Sequence, residues 1–195
     1  MLAAVATLRP VPDDALRLAR RRFLAGQRVD MSALASELGI NRVTLYRWFG
    51  SREQLLEQVL LGRIETFIAQ AREESHGSGD ERLLDTIRRI VQASARAAPV
   101  RLFIEREPTL ALRILASEHG EVHRYLVEES LRDLAGTRTP AQVRALRARV
   151  DATLQLVTAL LWVSVAIGEE PPAERIESLV AELLDDGAAG RRRRG

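Results

Sequence analysis

Apolar residues along this chain recur every three to four positions, the spacing that gathers them on one side of an α-helix. No stretch alternates in the two-residue rhythm of a half-buried strand, so the pattern predicts an all-α protein. The first helix runs from about Pro12 to Ala25, with Leu16, Ala19, Phe23 and Leu24 as its inward stripe. Pro12 suits an opening turn whose N–H needs no intrahelical partner, Asp13 and Asp14 complement the positive end of the helix dipole, and Gly26 ends the helix. A short second helix, Met31–Leu38, carries Leu34, Ala35 and Leu38 on one face. Gly39 then supplies the backbone freedom for a tight turn, and Asn41 caps a third short helix, Arg42–Phe49.

The fourth helix starts at the capping box Ser51-x-x-Gln54 and carries Leu55, Leu56, Val59, Leu60, Ile64, Phe67 and Ile68 to about Glu74. His76-Gly77-Ser78-Gly79 breaks the pattern, Asp80 caps a helix over Glu81–Ala98, and Pro99 stops it. Val100–Glu107 and Thr109–Ser117 read as one helix broken at Pro108, followed by Glu121–Leu134. A long helix from Ala141 to Ile167 and a last one from Ala173 to Leu184, joined through Gly168-Glu169-Glu170-Pro171-Pro172, complete the body.

Composition narrows the chemistry. Cysteine is absent, which removes disulfides and thiolate sites and agrees with a reducing compartment. Met1–Leu8 lacks the basic region and long apolar run of a secretory signal, so a cytoplasmic location is expected. Ala152–Gly168, the longest uncharged stretch, reaches only the lower edge of spanning length and holds Gln155, Thr158 and Ser164; it is expected to be a buried helix, with no membrane partner. Residues 1–62 carry nine arginines against six carboxylates, residues 63–190 sixteen against twenty-one, and Arg191–Arg194 add four more positive charges. A basic end meeting a polyanion and an acidic body facing water fit that division. There is neither a glycine-rich phosphate loop nor a clustered histidine–carboxylate set, so an enzyme is not expected, nor is a cofactor. His119 and His123 stand one helical turn apart beside Glu121, but two histidines without a third fixed ligand make a poor zinc site, and no metal is expected.

Two short helices joined through Gly39-Ile40-Asn41 have the geometry that presents the second helix to a DNA major groove while the first braces it. Leu45 and Phe49, at i and i+4, must face inward, which turns Val43, Thr44, Tyr46 and Arg47 outward. Arg42 and Arg47 suit guanine or phosphate, Thr44 a base edge or phosphate, Val43 a thymine methyl, and the Tyr46 hydroxyl a phosphate. Ser32 and Arg52 open the second and fourth helices, where DNA phosphates meet helix N-termini; each serves equally as a cap or a solvated charge. By spacing alone the same face also describes an ordinary polar surface, or the binding surface of a helical adaptor protein.

The stretch Val29–Leu56 resembles the DNA-binding signature of the tetracycline-repressor (TetR) family. That resemblance implies a helix-turn-helix domain over residues 1–56, a connecting helix over 51–74, and an effector-binding and dimerisation domain over 57–187. It further implies a cytoplasmic, nucleoid-associated regulator, most simply a repressor released from a palindromic DNA operator by a small molecule. Ser32, Arg42, Val43, Thr44, Tyr46, Arg47, Trp48 and Arg52 are the implied DNA contacts. The chain departs from the family at Arg52, where Lys is usual, and at Trp48, where Tyr or His is commoner.

Phe103–Leu115 and Gly168–Pro172 resemble the quorum-signal-degradation regulator (QsdR-like) subgroup, which implies a lactone-like or similarly apolar effector. Polar handles and aromatic walls on the middle helices nominate Ser94, Phe103, His123, Tyr125, Gln155, Thr158 and Trp162 as its contacts. Independently of any resemblance, helices 141–167 and 173–184 form an apolar pair able to build a four-helix bundle with a second copy. Leu154, Val157, Leu160, Leu161, Val163, Val165 and Ile167 make the long helix apolar nearly all round, as burial against its own domain and a partner requires. Residues 188–195 are expected to be a flexible basic tail.

Overall fold

Ten helices carry the chain among the described residues, with no strand: α1 (Pro12–Leu24), α2 (Met31–Glu37), α3 (Arg42–Phe49), α4 (Arg52–Glu74), α5 (Gly79–Arg96), α6 (Ala98–Arg106), α7 (Pro108–Leu115), α8 (Glu121–Ala135), α9 (Pro140–Ile167) and α10 (Ala173–Leu184). The structure, a computed structural model, describes residues 10–77, 79–115, 117, 120–136, 138–170 and 172–184, with backbone only at 79, 80, 95, 183 and 184. Met1–Leu8, His119 and the Arg191–Arg194 tail lie outside the described residues.

Proline opens helices here more than it closes them. Pro12, Pro108 and Pro140 each take the first helical position, where the missing N–H is not needed. Pro99, expected to stop a helix, instead sits in the first turn of α6, and α5 ends at Arg96. Asp80 likewise falls within α5 and not at its cap. Elsewhere the caps follow the side-chain chemistry. Asn41 Oδ1 accepts the Val43 N–H at 2.9 Å, and Ser51 Oγ accepts that of Gln54 at 3.1 Å. Thr139 and Gln142 cap one another reciprocally, with Gln142 Oε1 2.8 Å from the Thr139 N–H.

The chain divides into two compact units between Leu60 and Leu61, four residues beyond the expected boundary at 56/57. The difference arises because Val59 and Leu60 are buried with the first unit's core. That core joins Leu34 and Ala35 of α2, Leu45 and Phe49 of α3, and Leu55 and Leu56 of α4 to one face of α1. On α1 the buried band is Ala15, Leu18, Ala19 and Phe23, while Leu16 is half-buried and Leu24 exposed. Small Ala15 faces the core, and Leu24 lies on the opposite side of the helix, about 180° round from it.

In the second unit α8 packs along α9, α10 against α5 and α9, and α6 against α5, α7 and α9. The main core draws Val91, Val127, Leu131, Leu146, Val150 and Ile176 from four of these helices. Arg88 forks onto Glu177, Nε to Oε1 at 2.6 Å and Nη2 to Oε2 at 3.1 Å, tying α5 to α10. One side of the long helix is left open in the single chain: Leu156, Val163 and Ile167 of α9 are 54%, 53% and 60% exposed. By length and composition α9 is long and apolar enough to cross a bilayer, a property that core helices of soluble proteins share.

Candidate nucleic-acid interface

The elbow between α2 and α3 is built from local chemistry. Asp30 caps α2, its Oδ1 accepting the N–H groups of Ser32 at 3.0 Å and Ala33 at 2.9 Å. The Ala33 N–H holds the Asp30 carboxyl below the usual carboxylate range; desolvation partly opposes it and the Ser32 N–H adds to it. Gly39 takes the left-handed conformation at φ 64°, and the Ile40 N–H returns to the Ala35 carbonyl at 3.0 Å. Arg22 of α1 meets Glu37 of α2 at 2.6 Å, bracing the bracing helix.

This elbow fixes which side of α3 meets solvent. Leu45 and Phe49 are buried, as their spacing requires, while Val43 is 71% and Tyr46 41% exposed. Arg42 and Arg47 are exposed, and Thr44 and Trp48 are half-buried. Trp48 sets its ring edge-on to Phe49, centroids 6.5 Å apart. Because Asp30 is the cap, the Ser32 hydroxyl is left for another use: it lies 3.4 Å from Arg42 Nη1. The Arg42 guanidinium also stands 5.7 Å from the centre of the Tyr46 ring. Ser32, Arg42 and Tyr46 therefore form one exposed cluster spanning two helices. Arg52 is placed differently: half-buried, it donates through Nε to the Val29 carbonyl and so ties the start of α4 to the segment entering α2.

The seven residues nominated for a small molecule do not all come together. Half-buried Ser94, buried Phe103, and half-buried Thr158 and Trp162 belong to α5, α6 and α9, three helices that pack on one another. His123 of α8 is buried with Nε2 2.7 Å from Asp151 Oδ1 of α9. Exposed Gln155 reaches the other Asp151 oxygen at 3.4 Å. Tyr125, about 200° round α8 from His123, belongs instead with charged groups. Burial pushes its hydroxyl pKa up, and Glu129 and then Glu65 add to that, while Arg72 and Arg132 oppose it. Sequence reasoning passed over Asp30, although Asp before an apolar run is a helix-start signal. It also passed over the His123–Asp151 pair, which no local spacing announces.

Residues 26–59 match the family described as bacterial regulatory proteins, tetR family, and residues 78–185, more than half of the chain, match the tetracyclin repressor-like C-terminal domain. Among solved structures the chain is similar to the R. erythropolis transcriptional repressor QsdR of the TetR family, with a TM-score of 0.78 and 27% identity over 88% of this chain and 93% of that one. It shares its fold with the TetR family repressor AlkX of Dietzia sp. strain DQ12-45-1b, implicated in biodegradation of n-alkanes, with a TM-score of 0.59 and 21% identity over 90% of this chain and 94% of that one. A comparison with curated proteins found no match. Regulators of this type are non-enzymatic cytoplasmic proteins that bind DNA operators as dimers and answer to small-molecule effectors. A helix-turn-helix with an exposed arginine-bearing recognition face, followed by an all-helical second unit, thus identifies the chain as a DNA-binding transcriptional regulator belonging to the tetR family.

Proposed function

We propose that the protein represses transcription by occupying a palindromic operator as a homodimer, and that it leaves the operator when a lactone-like or otherwise apolar effector binds the second unit. The observation that carries this reading is the outward face of α3, where Val43, Tyr46 and Arg47 stand exposed over a buried Leu45 and Phe49. Arg47 reads a base edge, Val43 a thymine methyl, and Thr44 a base or phosphate. The Ser32–Arg42–Tyr46 cluster holds a guanidinium and a hydroxyl ready for the phosphate backbone. Trp48 supports this face from its edge. Arg52 braces the domain through Val29 and adds positive charge near the duplex.

The homodimer forms through α9 and α10. Ala145, Ala148, Ala152, Leu156, Ala159 and Val163 line one exposed side of α9, where small residues let a second helix approach closely. The effector contacts Ser94, Phe103, Thr158 and Trp162, whereas His123 and Gln155, held by Asp151, and Tyr125, on the far side of α8 among charged groups, lie outside those contacts. Release follows from the effector's higher affinity for a dimer whose recognition helices no longer match two half-sites about 34–36 Å apart. At its operator the protein is associated with the nucleoid.

A gel shift with a palindromic site tests the reading. Two copies per site, with affinity falling steeply as salt rises, are expected from phosphate neutralisation. A flat salt response overturns it. A thermal-shift series of acyl lactones tests the effector class, and a uniform lack of stabilisation removes it.

A further inference from the structure

Two apolar stripes that meet in the core of the second unit are each interrupted by one hydroxyl. On α5 the stripe is Leu83, Ile87, Ile90 and Val91, and Ser94 stands in line with it one turn after Val91. On α9 it is Leu154, Leu161 and Val165, and Thr158 stands between the two leucines. Val91, Leu154 and Leu161 belong to one core. Trp162 follows Thr158 by one turn, and Phe103 is buried on α6, which packs on both helices.

A hydroxyl inside a helix can satisfy itself on its own backbone, and three in this unit do. Thr86, Ser130 and Ser164 donate to the carbonyls of Arg82, Leu126 and Leu160 at 2.8, 2.8 and 2.9 Å. Ser94, Thr158 and Trp162 are half-buried, and among the described residues none of their side chains has a hydrogen-bond partner. Nor are their polar atoms sealed from solvent: the sealed, unpartnered side-chain atoms among the described residues are Arg72 Nε and Arg138 Nε. A few open polar groups on otherwise apolar walls are what a ligand site requires. The indole N–H can only donate and both hydroxyls can donate, so ligand oxygens that accept hydrogen bonds suit all three.

The charges around these groups disfavour an anion. Arg88 and Arg89 of α5 are committed to Glu177, Asp85 and Glu74, and Arg96, Arg101 and Arg106 stand exposed. Along α9 the ionisable group nearest Thr158 is Asp151, two turns earlier and nearly on the same side, about 10 Å away along the axis. His123 at 2.7 Å and Gln155 at 3.4 Å hold that carboxylate in place. A ligand carboxylate entering here gives up its water without gaining a counter-charge and meets a like charge, whereas a carbonyl oxygen bears neither cost. We propose that the effector is uncharged and accepts hydrogen bonds, as an aliphatic ester, amide or ketone does, and that the site turns away the corresponding carboxylate. Ser94, Thr158 and Trp162 donate to its oxygens, and Asp151 sets the charge it must not carry. This rests on the reading of the second unit as effector-binding.

The test is calorimetric titration of the full chain with methyl esters of straight-chain fatty acids and with the same acids, ionised at neutral pH. Each pair shares an aliphatic chain and differs in the charge of its head. The ester is expected to bind at least tenfold more tightly than its carboxylate. Thr158→Val and Ser94→Ala each delete one hydroxyl with little change of shape, and are expected to weaken the ester several-fold while leaving the carboxylate unaffected; either carries the test if the other does not fold. Asp151→Asn, which keeps an oxygen for His123, is expected to strengthen the carboxylate and not the ester. A carboxylate that binds as tightly as its ester overturns the proposal, and so does ester binding that both hydroxyl deletions leave unchanged; either result leaves the effector reading standing. A chain that binds neither member of any pair overturns the effector reading at these residues, and this inference with it.

Discussion

Replacing Gly39 by Ala isolates one energetic term at the elbow of the DNA-binding unit. Gly39 has φ 64°, and a Cβ built there meets no heavy atom within 4 Å, so the substitution adds no clash. What remains is the left-handed backbone, which costs an L-residue about 1–2 kcal/mol. The loss of unfolded-chain freedom on going from Gly to Ala returns about 0.4–1 kcal/mol, leaving a net destabilisation of about 1 kcal/mol. Trp48 of α3 reports on this unit, and a Trp162→Phe background makes it the sole tryptophan. Urea unfolding followed by its fluorescence is expected to show a midpoint shift worth about 1 kcal/mol at unchanged slope. Gly39→Asn recovers part of it, because Asn tolerates the left-handed region. A loss above about 3 kcal/mol refutes the absence of a steric term, and a gain in stability refutes the left-handed turn itself.

Four further outcomes follow from the same geometry. Leu45→Ala removes a fully buried anchor of the recognition helix and is expected to cost about 2–5 kcal/mol in the same assay; a loss under 1 kcal/mol would place Leu45 outside the core. Arg47→Ala is expected to relax base choice at one position of the half-site by about 1–3 kcal/mol of discrimination, read by binding-site selection, whereas uniform weakening across all sequences assigns Arg47 to phosphate. Leu156→Asp together with Val163→Asp is expected to yield monomers in sedimentation velocity, and a persistent dimer rules α9 out as the interface. Asp30 titrates below the ordinary carboxylate range when folded, so its ionised cap stabilises fully above about pH 4 and is lost as pH falls through the lower folded value. Asp30→Asn keeps a cap without that charge, so the stability difference between wild type and variant should shrink with acid; a difference constant down to pH 2 contradicts an ionised cap.

Local chemistry made the DNA-binding unit legible. Asn41 before Arg42 and Gly39 before Asn41 are short-range signals, and α3 spans Arg42–Phe49 as they imply. Ambiguity entered where one signal admits two placements. Asp30 and Ser32 are both cap residues two positions apart, and only the backbone path decides that Asp30 caps and Ser32 turns to Arg42. Pro99 can end one helix or begin the next, and Ala15 counts for little as a hydrophobe yet is fully buried. Arg52 reads from sequence as a phosphate ligand, while its bond to Val29 runs across 23 residues. Periodicity is silent at longer range: Arg72 meets Glu129 and Asp133 across 57 and 61 residues, and no helical repeat registers such a pairing.

The bare apolar side of α9 ties this protein's endurance to its abundance. A lone protomer leaves Leu156, Val163 and Ile167 against water, and in the dimer proposed above a second copy covers them and stabilises both by mass action. Melting temperature should therefore climb as the solution is concentrated, and newly synthesised chains stay adhesive until they meet. In a cell holding few copies, the rate of synthesis then governs what fraction of chains escapes proteolysis as well as how many promoters are occupied.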